Sequence, residues 1–239
     1  LMSLYWKYLS QNDRIRFAPN LESFLLERIE KSERPSLKSA FFRTFRAVVL
    51  SPGGVERLRG IWNEEKTIPG LTFSESDRAT TALELALRLP EEAERLLEEQ
   101  REQMKNPDRK RRLEFVSPAL SPDVATRDAF FESLKNPAHR EHERWVLEAA
   151  QYLHHPLRAA DSIRHLRPAL DLLEEIRKTG DIFFPKRWLD ESFRGHQSKE
   201  AVEIIRTFLK EHPDYPARLR EKILQSADGL FRAAENVEP

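Results

Sequence analysis

The stretch from His139 to Glu143, HREHE, contains residue types that bind zinc. Imidazole nitrogens and carboxylate oxygens are common zinc ligands, so this stretch is a candidate metal site. A helical H-E-x-x-H site has its histidines four residues apart, whereas His139 and His142 are three apart and Glu141 occupies a different position. The spacing favours a solvated helix face on which His and Glu side chains contact one another. A metal enzyme built on His139, His142 and nearby carboxylates remains an alternative.

A second histidine pair, His154 and His155, stands directly before Pro156. Proline ends helices, and a cationic imidazole is favourable at the negative end of the helix dipole. We therefore expect this pair to close a helix.

The basic run at residues 109–112, RKRR, is a candidate contact for a phosphate or an acidic partner. Acidic residues between Glu91 and Glu102, together with Glu114, offset its charge. It also lacks the interleaved aromatic residues on which nucleic-acid bases stack. A solvated helix face is the favoured interpretation.

An aromatic and basic patch, FFPKRW, occupies residues 183–188. Aromatic rings beside Lys and Arg can form a surface that clamps a peptide. Packing of Phe183, Phe184 and Trp188 in the core is the favoured alternative. Lys186 and Arg187 would then remain exposed to bind a peptide carboxylate or another domain. The candidate peptide or interdomain contacts are thus Lys186, Arg187 and Trp188.

Composition narrows the classes of function. The 239 residues contain no Cys, and neither a G-x-S-x-G elbow nor a phosphate-binding glycine loop occurs. Forty basic and forty acidic residues cancel, which argues against a nucleic-acid partner. No apolar run approaches the ~20 residues that span a bilayer, so we expect a soluble chain without membrane insertion, cytoplasmic or periplasmic. None of these patterns assigns an enzymatic activity to this chain itself.

Proline is the clearest punctuation of the elements that must position these residues, because it is disfavoured inside helices and favoured in their first turn. Prolines recur at steps of about thirty residues, as from Pro35 to Pro69 and from Pro107 to Pro137. This period is typical of helical-hairpin solenoids. The pattern predicts an all-α fold, a superhelical array of antiparallel helix pairs of the HEAT or armadillo type. We expect one helical-repeat domain over residues 1–239.

Local signals agree with this interpretation. Apolar residues recur at helical spacing, for example at Phe41, Phe45 and Val48. The alternating leucines between Leu83 and Leu89 also suit a strand, but their Ala and Glu neighbours favour a helix. We expect Ser121 and Asn136, each before a proline, to cap helices, and Gly180 and Gly195 to end helices with a positive φ. Residues 181–185 are expected to form a buried loop. The sequence M-K-N-P at 104–107 recurs as L-K-N-P at 134–137, which predicts a structural repeat of thirty residues.

Several segments resemble the C-terminal region of bacterial aminopeptidase N-like zinc metallopeptidases, which are gluzincins. The similarity extends from about Leu4 to Ala234. The segments are RWVLEAAQYLHHPLR at residues 144–158, EIRKTGDIFFPKRW at 175–188, AFFRTFR at 40–46 with SPGG at 51–54 and GIW at 60–62, and a tail with Phe208, Leu209, Pro213, Leu219, Arg220 and DGLFRA at 228–233.

The resemblance implies a superhelical domain that covers a thermolysin-like catalytic domain and shapes or gates the peptide-binding cavity. The family's zinc ligands, catalytic Glu and G-x-M-E-N segment belong to that catalytic domain, and none of these motifs occurs here. The chain is therefore expected to be a fragment of a longer multidomain enzyme, inactive alone and without a cofactor, whereas the parent aminopeptidase holds zinc. Its partners would be the catalytic domain of the same polypeptide and the peptide substrate. The alternative is a free-standing helical-repeat scaffold that binds peptides or proteins.

Overall fold

The computed structural model describes residues 2–236, apart from the side chain of Ser3, and is 79% helical. No strand occurs in this described part of the chain, so the predicted all-α class is confirmed. The chain divides into two compact units, residues 1–117 and 118–239. Because the helices of a repeat domain also group into compact sets, the single domain over residues 1–239 stays a prediction.

Unit 1, residues 1–117, contains seven α-helices within its described residues. They are α1 (Met2–Tyr8), α2 (Gln11–Lys31), α3 (Pro35–Val48), α4 (Pro52–Trp62), α5 (Glu75–Arg88), α6 (Ala93–Gln103) and α7 (Pro107–Val116). Helices that are neighbours in the sequence pack together, with α2 against α3, α4 against α5 and α5 against α6. The apolar stripe of each helix is therefore buried against the next helix.

Proline begins three of these helices, because Pro35, Pro52 and Pro107 each stand at the first helical position. This agrees with the sequence prediction. Pro19 is an exception, since it lies inside α2. Its side chain is exposed, so the carbonyl group that loses its intrahelical hydrogen bond can face water. A proline at an exposed position of a helix thus need not end it.

The leucines between Leu83 and Leu89 that also suited a strand lie in α5, or directly after it, as the helical interpretation predicted. All residues from 82 to 87 are buried, because α5 packs against α3, α4 and α6. A helix buried on several sides loses the apolar periodicity of a surface helix, which explains the ambiguous pattern.

The connection between α3 and α4 is held by buried charged side chains from two other helices. The carboxylate of Glu22, in α2, accepts hydrogen bonds from the backbone N–H of Leu50 (2.6 Å) and of Ser51 (2.8 Å). It also accepts a hydrogen bond from the Ser51 hydroxyl. On the other side, Arg88 of α5 donates from Nε to the carbonyl oxygen of Val49. These bonds satisfy backbone groups of a partly buried connection.

Unit 2, residues 118–239, contains eight α-helices within its described residues. They are α8 (Val124–Ser133), α9 (Glu143–Leu153), α10 (Ala159–Ser162), α11 (Leu166–Asp171), α12 (Leu173–Thr179), α13 (Phe184–Phe193), α14 (Lys199–Glu211) and α15 (Ala217–Asn236). The central helix is α13, which packs against α9, α11, α12 and α15. Its side chains Phe184, Trp188, Leu189 and Phe193 are buried.

The two Asn-Pro sequences agree with the predicted repeat only locally. The side chain of Asn106 accepts from the N–H of Asp108 and caps α7. The side chain of Asn136 likewise accepts from the N–H of Ala138, as predicted, but the element that follows is a 3₁₀ turn, Pro137–Arg140. The expected cap at Ser121 is wrong, because the Asp123 side chain caps α8 instead. The two segments thus share a capping asparagine, but an α-helix follows the first and a 3₁₀ turn follows the second.

The prediction of positive φ at Gly180 and Gly195 is wrong. Gly180 ends α12 with a φ of −104°, and within the described chain only Gly70 is a glycine with positive φ. At both glycines, neighbouring atoms instead occupy the place that a Cβ atom would take. A Cβ atom on Gly195 would clash with the carbonyl oxygen of His154 and lie 2.7 Å from the nitrogen of Pro156. Close approach of two backbone segments therefore requires glycine here.

Replacing Gly195 with alanine is expected to lower the free energy of unfolding by about 3 kcal/mol, because the added methyl group meets backbone atoms that cannot move independently. Gly53→Ala is the matched control, since a Cβ atom there has no neighbour within 4 Å. Urea denaturation followed by circular dichroism measures both. Equal stability of the two variants would contradict the close approach at Gly195.

Candidate functional site

The connection between α12 and α13 exposes the two most accessible large apolar side chains of the described chain. Ile182 is 79% exposed and Phe183 is 63% exposed. The guanidinium of Arg187 lies over the Phe183 ring, 6.0 Å from its centroid. We call Ile182, Phe183 and Arg187 the loop surface. It combines apolar, aromatic and cationic groups, which are characteristic of protein-binding surfaces.

The backbone under the loop surface is fixed by two carboxylates. Asp181 accepts hydrogen bonds from the N–H of Phe183 (2.6 Å) and of Phe184 (2.9 Å). These backbone hydrogen bonds hold the pKa of Asp181 below its usual value. The N–H of Asp181 itself donates to Glu143 Oε1, 2.7 Å away at the start of α9. The exposed side chains are therefore presented on an ordered backbone.

The end of α12 is fixed by Arg140, the second residue of the candidate metal stretch. Its guanidinium is 3% exposed and donates to the carbonyl oxygen of Leu134. It also donates to the carboxylate of Glu175 and to the hydroxyl of Thr179, the latter at 3.1 Å. This arginine therefore joins the 3₁₀ turn before α9 to α12, at Glu175 and at its last residue, Thr179.

The three sequence-predicted contact residues occupy different environments. Lys186 forms an ion pair with Asp190, one turn further along α13. Arg187 is exposed and belongs to the loop surface. Trp188 is only 1% exposed, and its indole N–H donates to the carbonyl oxygen of Ala169 at 3.0 Å. Trp188 therefore lies in the core below the loop surface, where no peptide can reach it.

The predicted burial of the aromatic patch is confirmed for Phe184 and Trp188 and is wrong for Phe183. The predicted buried loop at residues 181–185 is shorter and more exposed than expected. Phe184 and Pro185 already belong to α13, and Ile182 and Phe183 are exposed. The reason is the turn made by Asp181, which directs α13 so that Phe184 faces the core. Aromatic residue types alone do not specify which neighbour faces inward.

A cluster of three buried histidines lies in the same unit. His154 Nδ1 is 3.1 Å from His196 Nε2, and the His165 ring is edge-on to that of His154 with centroids 6.2 Å apart. Burial lowers the pKa of His196 to about 4 and lowers those of His154 and His165. His154 closes α9 as predicted, but the expected cationic state is wrong, because its interior position favours the neutral ring.

His165 also contacts two side chains of α8. Its Nε2 lies 3.0 Å from the carboxylate of Asp128, and its ring stacks on Phe131 with centroids 4.4 Å apart. Phe131 in turn lies 6.1 Å from the Trp188 ring, measured between centroids. The histidine cluster is thus continuous with the aromatic core that supports α13. It forms part of the packing, whereas the loop surface faces solvent.

The candidate metal ligands His139 and His142 do not converge. His139 Nδ1 lies 3.1 Å from the carbonyl oxygen of Ser133, and the His142 ring packs on Trp145 with centroids 4.0 Å apart. The expected helix face is absent, because Pro137–Arg140 forms a 3₁₀ turn and α9 begins only at Glu143. Among the residues that the structure describes, no group of three or more His, Asp or Glu residues is arranged to hold a metal ion.

The basic run at residues 109–112 lies in α7 and is partly compensated by acidic groups. Arg109 lies 3.6 Å from Glu75, and Arg111 pairs with Asp108. A solvated, charge-paired helix face is therefore the arrangement in the structure. In the described chain, no helix is long and apolar enough to cross a membrane.

Comparison with models of known protein families and with curated protein sequences finds no match to this chain.

Sequence reasoning missed Ile182, Asp181 and Glu143 as parts of the site. Asp181 carried a usable signal, because an Asp before a helix commonly accepts hydrogen bonds from the next backbone N–H groups. No local signal could identify Glu143, since its bond to the Asp181 backbone spans 38 residues. The exposure of Ile182 depends on the path of the folded chain.

Proposed function

We propose that this chain is the non-catalytic C-terminal helical domain of an aminopeptidase N-like zinc metallopeptidase. Its helices form a superhelical array of antiparallel pairs that covers the catalytic domain and shapes or gates the peptide-binding cavity. Its partners are that catalytic domain and the peptide substrate. The parent enzyme uses zinc-activated water to remove N-terminal residues, and this chain alone hydrolyses no peptide.

The observation that carries the proposal is the loop surface. Ile182 and Phe183 remain exposed on a backbone held by Asp181 and Glu143. Ordered apolar side chains in water mark contact sites, because covering them removes apolar area from solvent. The loop surface also lies within residues 175–188, one of the segments that resemble the family. We propose that the catalytic domain covers it.

The superhelical part of the proposal is supported by the packing within unit 1. Consecutive helices of 10 to 14 residues, such as α5, α6 and α7, pack against their neighbours in the sequence. Nearest-neighbour packing of short helices is the basis of helical solenoids. In this proposal, the zinc is held by the catalytic domain.

The full coding sequence and an activity assay test this proposal. We expect an H-E-x-x-H motif upstream of the present residues, and aminopeptidase activity on aminoacyl-anilides for the full polypeptide. This chain alone should be inactive but should bind the separately produced catalytic domain in a sedimentation experiment. An upstream sequence without the motif, or a catalytic domain that does not bind, would refute the proposal and favour a free-standing scaffold.

A double variant tests the loop surface. Ile182→Ser with Phe183→Ser is expected to leave the melting temperature of this chain nearly unchanged, because both side chains are already exposed. The same variant should weaken binding to the catalytic domain at least about tenfold, as expected for central apolar contacts. Titration calorimetry with the catalytic domain measures this change.

The matched control is Phe24→Ser in unit 1. Phe24 is 46% exposed and carries Arg28 over its ring, four residues later, as Arg187 lies over Phe183. This control should not change the affinity. Equal affinity of the wild type and the loop-surface variant would exclude the loop as a docking contact.

A further inference from the structure

Unit 1 contains a cleft of about 170 Å³ between α2, α3, α4 and the segment after α4. It is lined by Leu26, Ile29, Glu30, Lys38, Arg57, Thr67, Ile68 and Pro69. Four of these side chains are apolar, two are cationic and one is anionic. The cleft therefore combines an apolar lining with both signs of charge.

One wall of the cleft is a rigid turn. The N–H of Leu71 donates to the carbonyl oxygen of Ile68, Pro69 follows Ile68, and Gly70 has a φ of 81°. These features define a type II turn, in which the third residue needs a positive φ. Lys38 Nζ donates to the carbonyl oxygen of Pro69 at 2.7 Å and thereby attaches the turn to α3. The wall is consequently formed before any ligand arrives.

The cationic groups of the cleft retain donors for an anion. Lys38 uses one N–H on Pro69, and an ammonium group has three. Arg57 lies 3.9 Å from Glu30 Oε1, beyond hydrogen-bond length. A planar carboxylate matches the donor fork of a guanidinium.

We propose that this cleft binds a free α-amino acid with a compact apolar side chain, such as leucine. Its carboxylate binds Arg57 and Lys38, and its ammonium group binds Glu30. Its side chain contacts Ile29 and Ile68, which are 2% and 7% exposed. The volume is adequate for the apolar side chain, because a cavity of about 150 Å³ accommodates benzene, which is larger than the leucine side chain. This site is independent of the proposed aminopeptidase role.

Binding can be measured on the full chain by ¹H–¹⁵N NMR with L-leucine as the titrant. We expect shift changes concentrated at the cleft residues. Leucinamide lacks the carboxylate, isovalerate lacks the ammonium group and glycine lacks the side chain, so each should bind at least about tenfold more weakly. Equal binding of leucine and glycine, or of leucine and leucinamide, would refute the site. Failure of leucine to shift the cleft resonances would do so as well.

A pair of variants checks the assignment of the carboxylate contact. Arg57→Met should weaken leucine binding at least about tenfold, because it removes the bidentate donor. Arg111→Met is the control, since Arg111 lies in the same unit, is exposed and pairs with Asp108 outside the cleft. The two spectra without ligand show whether both variants are folded. If the folded variants bind leucine equally, the proposal is wrong. The result does not depend on peptidase activity, so it remains informative even if the proposed function fails.

Discussion

Replacing Glu22 with alanine is expected to destabilise unit 1 by about 4 kcal/mol. The wild-type carboxylate accepts hydrogen bonds from the N–H groups of Leu50 and Ser51 and from the Ser51 hydroxyl. Alanine leaves these two partly buried N–H groups without their acceptor, and an unsatisfied buried donor costs about 1–3 kcal/mol. The connection between α3 and α4 also loses its attachment to α2. Urea denaturation should show the lower midpoint.

Two controls separate this effect from a general effect of removing charge. Glu27→Ala removes an exposed carboxylate from the same helix, where it pairs only with Lys31, and should change the midpoint little. Glu22→Gln removes the charge but keeps one carbonyl oxygen, and in the wild type a single oxygen, Oε1, accepts from both N–H groups. It should therefore be clearly more stable than Glu22→Ala. Hydrogen exchange should show faster exchange in the α3–α4 connection. A stable Glu22→Ala variant would contradict the capping role.

Acidification from about pH 7 to about pH 4 is expected to destabilise unit 2 through the histidine cluster. In the unfolded chain His196 titrates near its ordinary pKa of about 6.5, whereas burial lowers its pKa to about 4 in the folded state. Between these values the unfolded state binds a proton that the folded state does not. The contribution of His196 is therefore complete above about pH 6.5 and falls by about 3 kcal/mol as the pH approaches 4.

The other two histidines act in the same direction. Burial also lowers the pKa values of His154 and His165, while Asp128 opposes the shift of His165. The 3.1 Å hydrogen bond between His154 and His196 needs an acceptor nitrogen on one ring. Protonation of both rings removes that acceptor and places two positive charges in contact. Acid should therefore loosen the region around the start of α14 first.

A variant isolates the contribution of His196 from that of the carboxylates, which also titrate in acid. His196→Gln can keep a hydrogen bond but cannot bind the proton, so its unfolding free energy should fall less steeply between about pH 6.5 and 4. His139→Gln, at an exposed position, should retain the wild-type slope. Chemical denaturation at a series of pH values gives both slopes. Parallel curves for wild type and His196→Gln would exclude the cluster as the cause.

Much of the helical structure was predictable because its causes are local. Pro35 and Pro107 begin helices and Asn106 caps one, since these residues act on backbone groups within four positions. The apolar spacing at Phe45 and Val48 likewise identified a buried helix face. Pro19 shows the limit of such rules, because its tolerance depends on facing solvent.

The candidate site was predictable only in part. Residues 183–188 were identified as a patch of interest, and the structure divides them into an exposed Phe183 and Arg187 and a buried Phe184 and Trp188. The division follows from where Asp181 turns the chain and from what packs against α13. Side-chain type carries no information about either.

The sequence by itself determined the all-α class, the start of several helices and the lack of a recognised catalytic motif, because these depend on composition and on neighbours in the chain. Only the tertiary structure decided the charge state of the histidines, the role of Glu22 and the reason for Gly195. His154 meets His196 across 42 residues, and Glu22 meets Ser51 across 29. Burial and partners at such separations arise from packing, which no local pattern specifies.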